Sequence, residues 1–150
     1  MKTGAFFEEF AVGDRWQTAG YTFTESGILD FAFRYDPQPF HIDLEAAKQS
    51  IYGGLIASGF QTLSVCFRLV HQTAVLTQNI GGRGLDELRW PQAVRPGDTI
   101  RVEVEVLEAR RSSLPARGNL RLRYVATNQR GETVLTANLL HVIKCRDENP

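Results

Sequence analysis

The sequence lacks an excess of charge of either sign, because 17 lysines and arginines balance 17 aspartates and glutamates. No global field therefore favours nucleic acid or an anionic membrane surface, and a small molecule is the expected partner. Cysteine is scarce: Cys66 and Cys145 are too few for a disulfide framework and fit a reducing cytoplasm. Long apolar runs are also missing, so we expect neither a membrane span nor a secretory leader.

Internal repeats, low-complexity linkers and changes of composition between the two halves are absent as well. A chain of 150 residues has the commonest size for one domain and is long enough to bury a complete core. We therefore predict a single domain over residues 1–150.

Helices are predicted in the first half of the chain. Thr24 is a good N-cap, and apolar residues recur after it at helical spacing until Pro37 prevents continuation. Asp43 caps a second, short helix. The longer segment after Gly59 is apolar around most of its circumference, so we expect a sheet to cover most of that helix.

Strands are predicted before and after these helices. An early strand is expected over residues 14–23, and apolar residues alternate with charged ones at 100–106 and 120–124. Turn residues stand at 95–98, before the first of these segments, and at 128–131, before residues 132–143, which read as the last strand. The order predicts an α+β fold in which an antiparallel sheet wraps around one long helix. Pairing sheet edges across a two-fold axis removes an aggregation hazard, so a dimer is expected.

The most informative segment contains Asp36 and His41 around two prolines. Pro37 and Pro39 fix their own φ and disfavour the α region for the residues before them, so we predict a loop without helix. A bent loop can bring a carboxylate and an imidazole within reach of one substrate atom, as acid/base catalysis requires. The alternative is that Asp36 caps a helix or turn and that His41 satisfies a local backbone group.

Other chemistries have weaker support. A serine hydrolase needs the G-x-S-x-G turn, but Ile56 stands two residues before Ser58. No H-E-x-x-H or C-x-x-C motif is present, so no metal is expected. His71 is interpreted as a partner of a helix C-terminus, and His141 as an ordinary strand residue.

Four segments, in a fixed order over residues 6–143, match a known family. They are the opening segment Phe6–Gly13, the hexapeptide Asp36-Pro37-Gln38-Pro39-Phe40-His41, the segment Gly53-Gly54-Leu55-Ile56-Ala57-Ser58-Gly59 and the turn Arg95-Pro96-Gly97-Asp98. The chain thereby resembles the MaoC-like dehydratases, relatives of the R-specific enoyl-CoA hydratases with a hotdog fold.

The resemblance implies a set of site residues. Asp36 and His41 match the catalytic pair of the family's D-x-N-P-L-H loop, in which Gln38 replaces the usual Asn and Phe40 a smaller aliphatic residue. Gly59 matches the glycine whose backbone N–H is thought to donate to the thioester carbonyl. The substrate-binding or supporting positions are Phe40, Ile56, Ser58 and Ser64. Ser58 stands where the family usually has His. Ser64 is expected near the catalytic Asp.

The resemblance also implies a function. We expect a cytoplasmic homodimer, or a dimer of dimers, of a hydro-lyase in fatty acid metabolism. It would hydrate trans-2-enoyl-CoA to (R)-3-hydroxyacyl-CoA or catalyse the reverse dehydration, with coenzyme A as the carrier group and no other cofactor. The alternatives are a hotdog acyl-CoA thioesterase and a catalytically silent acyl-CoA-binding protein.

Overall fold

The computed structural model describes residues 3–146, in which four long strands follow a group of helices. A 3-10 turn, Phe7–Glu9, precedes the first strand. The elements are β1 (Arg15–Gln17), β2 (Tyr21–Thr22), α1 (Glu25–Tyr35), α2 (Pro39–Ile42), α3 (Leu44–Gln49), α4 (Gly59–Gln72), β3 (Asn79–Arg89), β4 (Thr99–Arg111), β5 (Arg117–Thr127) and β6 (Thr133–Lys144).

The strands form one antiparallel sheet in the order β1-β4-β5-β6-β3, and β2 pairs separately with β4. The prediction of one continuous strand over 14–23 is wrong, because two short strands pair with β4 on either side of Thr18. The Oγ1 atom of Thr18 accepts the N–H of Val102 at 3.0 Å, and the backbone N–H of Thr18 donates to the Val102 carbonyl. A side chain thus takes over one position of the ladder and interrupts the strand.

The sheet wraps around α4, as the apolar pattern predicts. The inner face of the helix is buried and includes Val65, Cys66, Leu69 and Val70. Alternate residues of β4 and β5 are buried with it, and Tyr124 is the largest fully buried side chain. This layer forms the main hydrophobic core, to which Cys66 contributes packing.

The helix boundaries follow local signals. Thr24 accepts the N–H of Gly27 at 3.0 Å, and Asp43 accepts the N–H groups of both Glu45 and Ala46 at 3.0 Å. Both predicted N-caps are confirmed. The prediction of a loop without helix is wrong for Pro39–Ile42, which form one helical turn with proline at its first position. Proline is tolerated there, because the N–H it lacks has no partner inside the helix.

Strand β3 lies at one edge of the sheet and pairs only with β6 among the described strands. Most of its residues are exposed, and three register irregularities interrupt its pairing. Within residues 3–146, no helix has both the length and the apolar content needed to cross a bilayer.

Candidate active site

The carboxylate of Asp36 lies where α1 ends. The residue caps the helix, since its backbone N–H donates to the Ala32 carbonyl, and Pro37 prevents another turn. Its Oδ1 accepts Gln38 Nε2 at 2.7 Å, and its Oδ2 accepts Ser58 Oγ at 2.7 Å. Burial alone would raise the pKa of Asp36, but these two hydrogen bonds and the nearby His41 outweigh it and lower the pKa below its usual value.

His41 is buried and held from both sides of its ring. Its Nδ1 is 2.7 Å from the carbonyl oxygen of Ile56, and its Nε2 is 3.3 Å from Asp36 Oδ2. A carbonyl oxygen only accepts, so Nδ1 carries a proton. Nε2 is therefore the nitrogen that can exchange a proton beside Asp36. The structural interpretation of this segment is correct, because Asp36 caps a helix and His41 binds a backbone carbonyl. The same segment also brings the carboxylate and the imidazole together, as the acid/base interpretation requires.

The N-terminus of α4 faces the same place. Ser58 is the N-cap and accepts the N–H of Phe60 at 3.2 Å. Within the described part of the chain, no acceptor takes up the N–H of Gly59. An unpaired N–H at the positive end of a helix dipole is suited to an oxyanion.

Trp90 covers Gly59 from the end of β3. Its Nε1 donates to the Gly59 carbonyl at 3.0 Å, and a Cβ placed on Gly59 would lie only 2.8 Å from the indole Cδ2. A side chain at this position would therefore force the Trp90 indole to shift. Trp90 was not among the predicted site residues, because the indole meets Gly59 across 31 residues and no local pattern marks that contact.

A cavity of about 340 Å³ joins these groups. Asp36, His41 and Gly59 contribute to its wall, as do Phe40 and Ile56, which were predicted to bind substrate. Five further residues of the wall were not predicted to belong to the site. They are aromatic or apolar side chains brought from separate segments: Tyr52, Phe60, Trp90, Val94 and Val134.

Two other predicted residues lie outside this lining. Ser58 is completely buried and contacts Asp36 from behind the cavity wall. Ser64 is on the exposed side of α4, where its Oγ donates to the Phe60 carbonyl at 2.8 Å. It lines a different surface pocket with Tyr21 and Arg68. The structure therefore does not bring Ser64 to the Asp–His pair.

The remaining two histidines meet at the other end of α4. His141 is buried, its Nε2 lies 3.2 Å from the hydroxyl of Tyr124, and burial lowers its pKa to about 4. The His71 ring is 5.9 Å from that of His141, and burial lowers its pKa too. A lowered pKa opposes the charged form that an interaction with the helix dipole needs.

Comparison with known proteins places this fold in a class. The crystal structure of the MaoC-like dehydratase from Rhodospirillum rubrum is 41% identical, with a TM-score of 0.90, over 96% of this chain and 99% of that one. The R-hydratase PhaJ1 from Pseudomonas aeruginosa has the same fold, with a TM-score of 0.73 at 23% identity over 95% of this chain and 86% of that one. The predicted hotdog fold is confirmed.

The sequence comparison gives the family. Residues 9–128 match the MaoC-like domain. The protein YdeM of Bacillus subtilis strain 168, which is uncharacterised, is 32% identical over 102 residues, or 67% of this chain and 72% of YdeM. The chain belongs to the MaoC-like domain family.

Proposed function

We propose that the protein hydrates a trans-2-enoyl-CoA to the (R)-3-hydroxyacyl-CoA, or catalyses the reverse dehydration. The observation that carries this proposal is the convergence of the Asp36–His41 pair and the free N–H of Gly59 on one cavity. Hydration of a conjugated thioester needs a base for water, a proton donor for the α-carbon and a donor for the enolate oxygen. These three groups can supply all of them.

The mechanism starts with the thioester carbonyl at the Gly59 N–H. A water molecule held by Asp36 and His41 loses a proton to the pair as its oxygen bonds to C3 of the substrate. The electrons of the double bond move toward the carbonyl, and the resulting enolate is stabilised by the Gly59 N–H and the dipole of α4. The pair then returns the proton to C2 on the same face, so that one water is added in a syn sense.

The walls of the cavity suit an acyl chain. Next to the polar groups lie the rings of Phe40 and Tyr52, with centroids 5.2 Å apart, and the buried side chains of Val94 and Val134. Apolar walls with a few placed polar groups are typical of small-molecule sites. The reaction moves no electrons to a second reactant, so the proposal includes coenzyme A as carrier and no redox cofactor.

We further propose that two copies of the chain pair along β3. Among the described strands, β3 pairs only with β6, so the other edge of this 11-residue strand has no strand partner there. Large apolar side chains are exposed on it and on the adjacent face of α4, including Ile80, Leu85, Phe60 and Phe67. A long edge beside apolar surface is a hazard that a second copy removes. Mass measurement in solution tests this proposal, and a monomer at micromolar concentration would contradict it.

A panel of enoyl-CoA substrates tests the activity. Loss of the conjugated double bond is followed by absorbance, and thiol release is followed separately in the same samples. We expect loss of conjugation without free thiol for at least one acyl chain, because the site has no acyl nucleophile in the proposed mechanism. Stoichiometric release of coenzyme A would instead support a thioesterase, and neither signal from folded protein would support a silent binding protein.

A further inference from the structure

Ser58 makes two hydrogen bonds through a single buried hydroxyl. The Oγ atom lies 3.2 Å from the N–H of Phe60 and 2.7 Å from Asp36 Oδ2. The backbone N–H can only donate, so the hydroxyl accepts there and gives its one proton to the carboxylate. Ser58 is therefore both the cap of α4 and a donor to Asp36.

A second donor occupies the other carboxylate oxygen. Gln38 Nε2 is 2.7 Å from Asp36 Oδ1, so each oxygen of Asp36 accepts one neutral donor. An ionised carboxylate is a stronger acceptor for both of these donors than a protonated acid. This arrangement favours the ionised carboxylate. Among the described residues, His41 is the titratable group in contact with Asp36, and it faces the same Oδ2.

The position of Ser58 in the chain adds a second consequence. The carbonyl carbon of Ser58 is bonded to the nitrogen of Gly59, so the residue that holds Asp36 is also half of the peptide that presents the Gly59 N–H. A shift of Ser58 would move the water-activating pair relative to the oxyanion donor. Misplacements on the scale of 1 Å are known to lower turnover by about 100-fold.

We propose that Ser58 is a positioning residue, which keeps the Asp36 carboxylate ionised and fixes its orientation relative to the Gly59 N–H. The role in catalysis rests on the proposed hydration reaction. Ser58 is completely buried and does not line the cavity, so it acts through Asp36 and not by touching substrate.

The test separates this role from helix capping. Ser58→Ala removes both the cap and the donor, whereas Ser58→Thr keeps a hydroxyl. Thr24→Ala is the matched control, because it removes an equivalent cap at the start of α1, at the opposite end of that helix from Asp36. The three variants and the wild type are titrated by carboxyl carbon NMR of Asp36, and the pH dependence of kcat/KM is measured on the same preparations.

We expect Ser58→Ala to raise the pKa of Asp36 by about one unit, since one hydrogen bond to a charged group is lost. The acid limb of kcat/KM should move by the same amount. The kcat of Ser58→Ala should fall about 10- to 100-fold with little change in KM. Ser58→Thr should keep most of the wild-type kcat and an Asp36 pKa close to that of the wild type. Thr24→Ala should lower thermal stability without moving the pKa of Asp36 or the acid limb.

An unchanged pKa of Asp36 in folded Ser58→Ala would overturn the proposal. If that variant does not fold, Ser58→Cys gives the same comparison, because a thiol of similar size is a weak donor. The NMR titration needs no turnover. The wild type could lack hydratase activity while the pKa of Asp36 still depends on Ser58. That result would overturn the proposed function and support the assigned contact between Ser58 and Asp36.

Discussion

The proposed role of the Gly59 backbone N–H as an oxyanion donor can be tested by comparing alanine and proline at that position. Both residues carry a Cβ, and in the wild-type surroundings that atom would overlap the Trp90 indole, at 2.8 Å from Cδ2. Overpacking of this kind typically destabilises a protein by about 1–3 kcal/mol. For a protein of this length, that loss corresponds to a decrease in Tm of roughly 2–12 °C.

Trp90→Ala makes the room that both substitutions need. In this background, Gly59→Ala keeps the N–H and Gly59→Pro removes it. Gly59 is the first residue of α4, where proline is well tolerated. Ser58 before it has φ −57° and ψ 137°, which suits a residue that precedes proline. The two double variants should therefore have similar stability.

Their activities should differ. Loss of one preorganised oxyanion donor lowers kcat by about 10²–10³, whereas the alanine variant should stay within about tenfold of Trp90→Ala alone. Enoyl-CoA hydration is measured by absorbance, with thermal unfolding and the mass in solution as controls. A folded Gly59→Pro/Trp90→Ala protein that turns over as fast as its alanine counterpart would show that the oxyanion contact is elsewhere.

Three further predictions concern other parts of the molecule. Asp36→Asn and His41→Ala should each lower kcat by about 10²–10⁴, and the double variant should fall little further, because the two act on one water; losses that multiply would show independent roles. Phe40→Ala should shift the ranking of substrates toward longer acyl chains by about 1–3 kcal/mol per methylene, because its ring lines the cavity; an unchanged ranking in a stable variant would contradict this. The pKa of His141 is lowered from 6.5 to about 4, so its contribution to stability is complete above pH 6.5 and is lost as the pH falls toward 4. Denaturant unfolding is measured at pH 6.5 and at pH 4. Between these values the free energy of unfolding of His141→Asn should decrease by about 3 kcal/mol less than that of the wild type, and equal decreases would refute this assignment.

The local features of the fold were predictable from the sequence. The caps Thr24 and Asp43 and the start of α4 at Gly59 depend on neighbouring residues, and the structure confirms them. The alternation of residues 100–106 correctly predicts β4, because a half-buried strand has a period of two.

Some of the features that were missed depend on contacts between distant segments, and others on local details that the sequence pattern leaves open. Thr18 interrupts the first strand only because its hydroxyl meets Val102, 84 residues away. The resemblance that implied a position for Ser64 near Asp36 does not show which side of α4 the residue occupies. In the structure its hydroxyl binds the helix backbone on the exposed side. Pro39 was interpreted as a helix breaker, although proline at a first helical position is compatible with a single turn.

The placement of Trp90 gives the protein an optical property. The chain has two tryptophans, and the other, Trp16, packs against Phe10 with ring centroids 6.4 Å apart. Trp90 is 43% exposed and lines the cavity next to Gly59. A ligand that fills the cavity would replace water over this ring and change its fluorescence. In a Trp16→Phe protein, all tryptophan emission would come from the one indole at the site, so affinity could be measured for acyl groups that are never turned over.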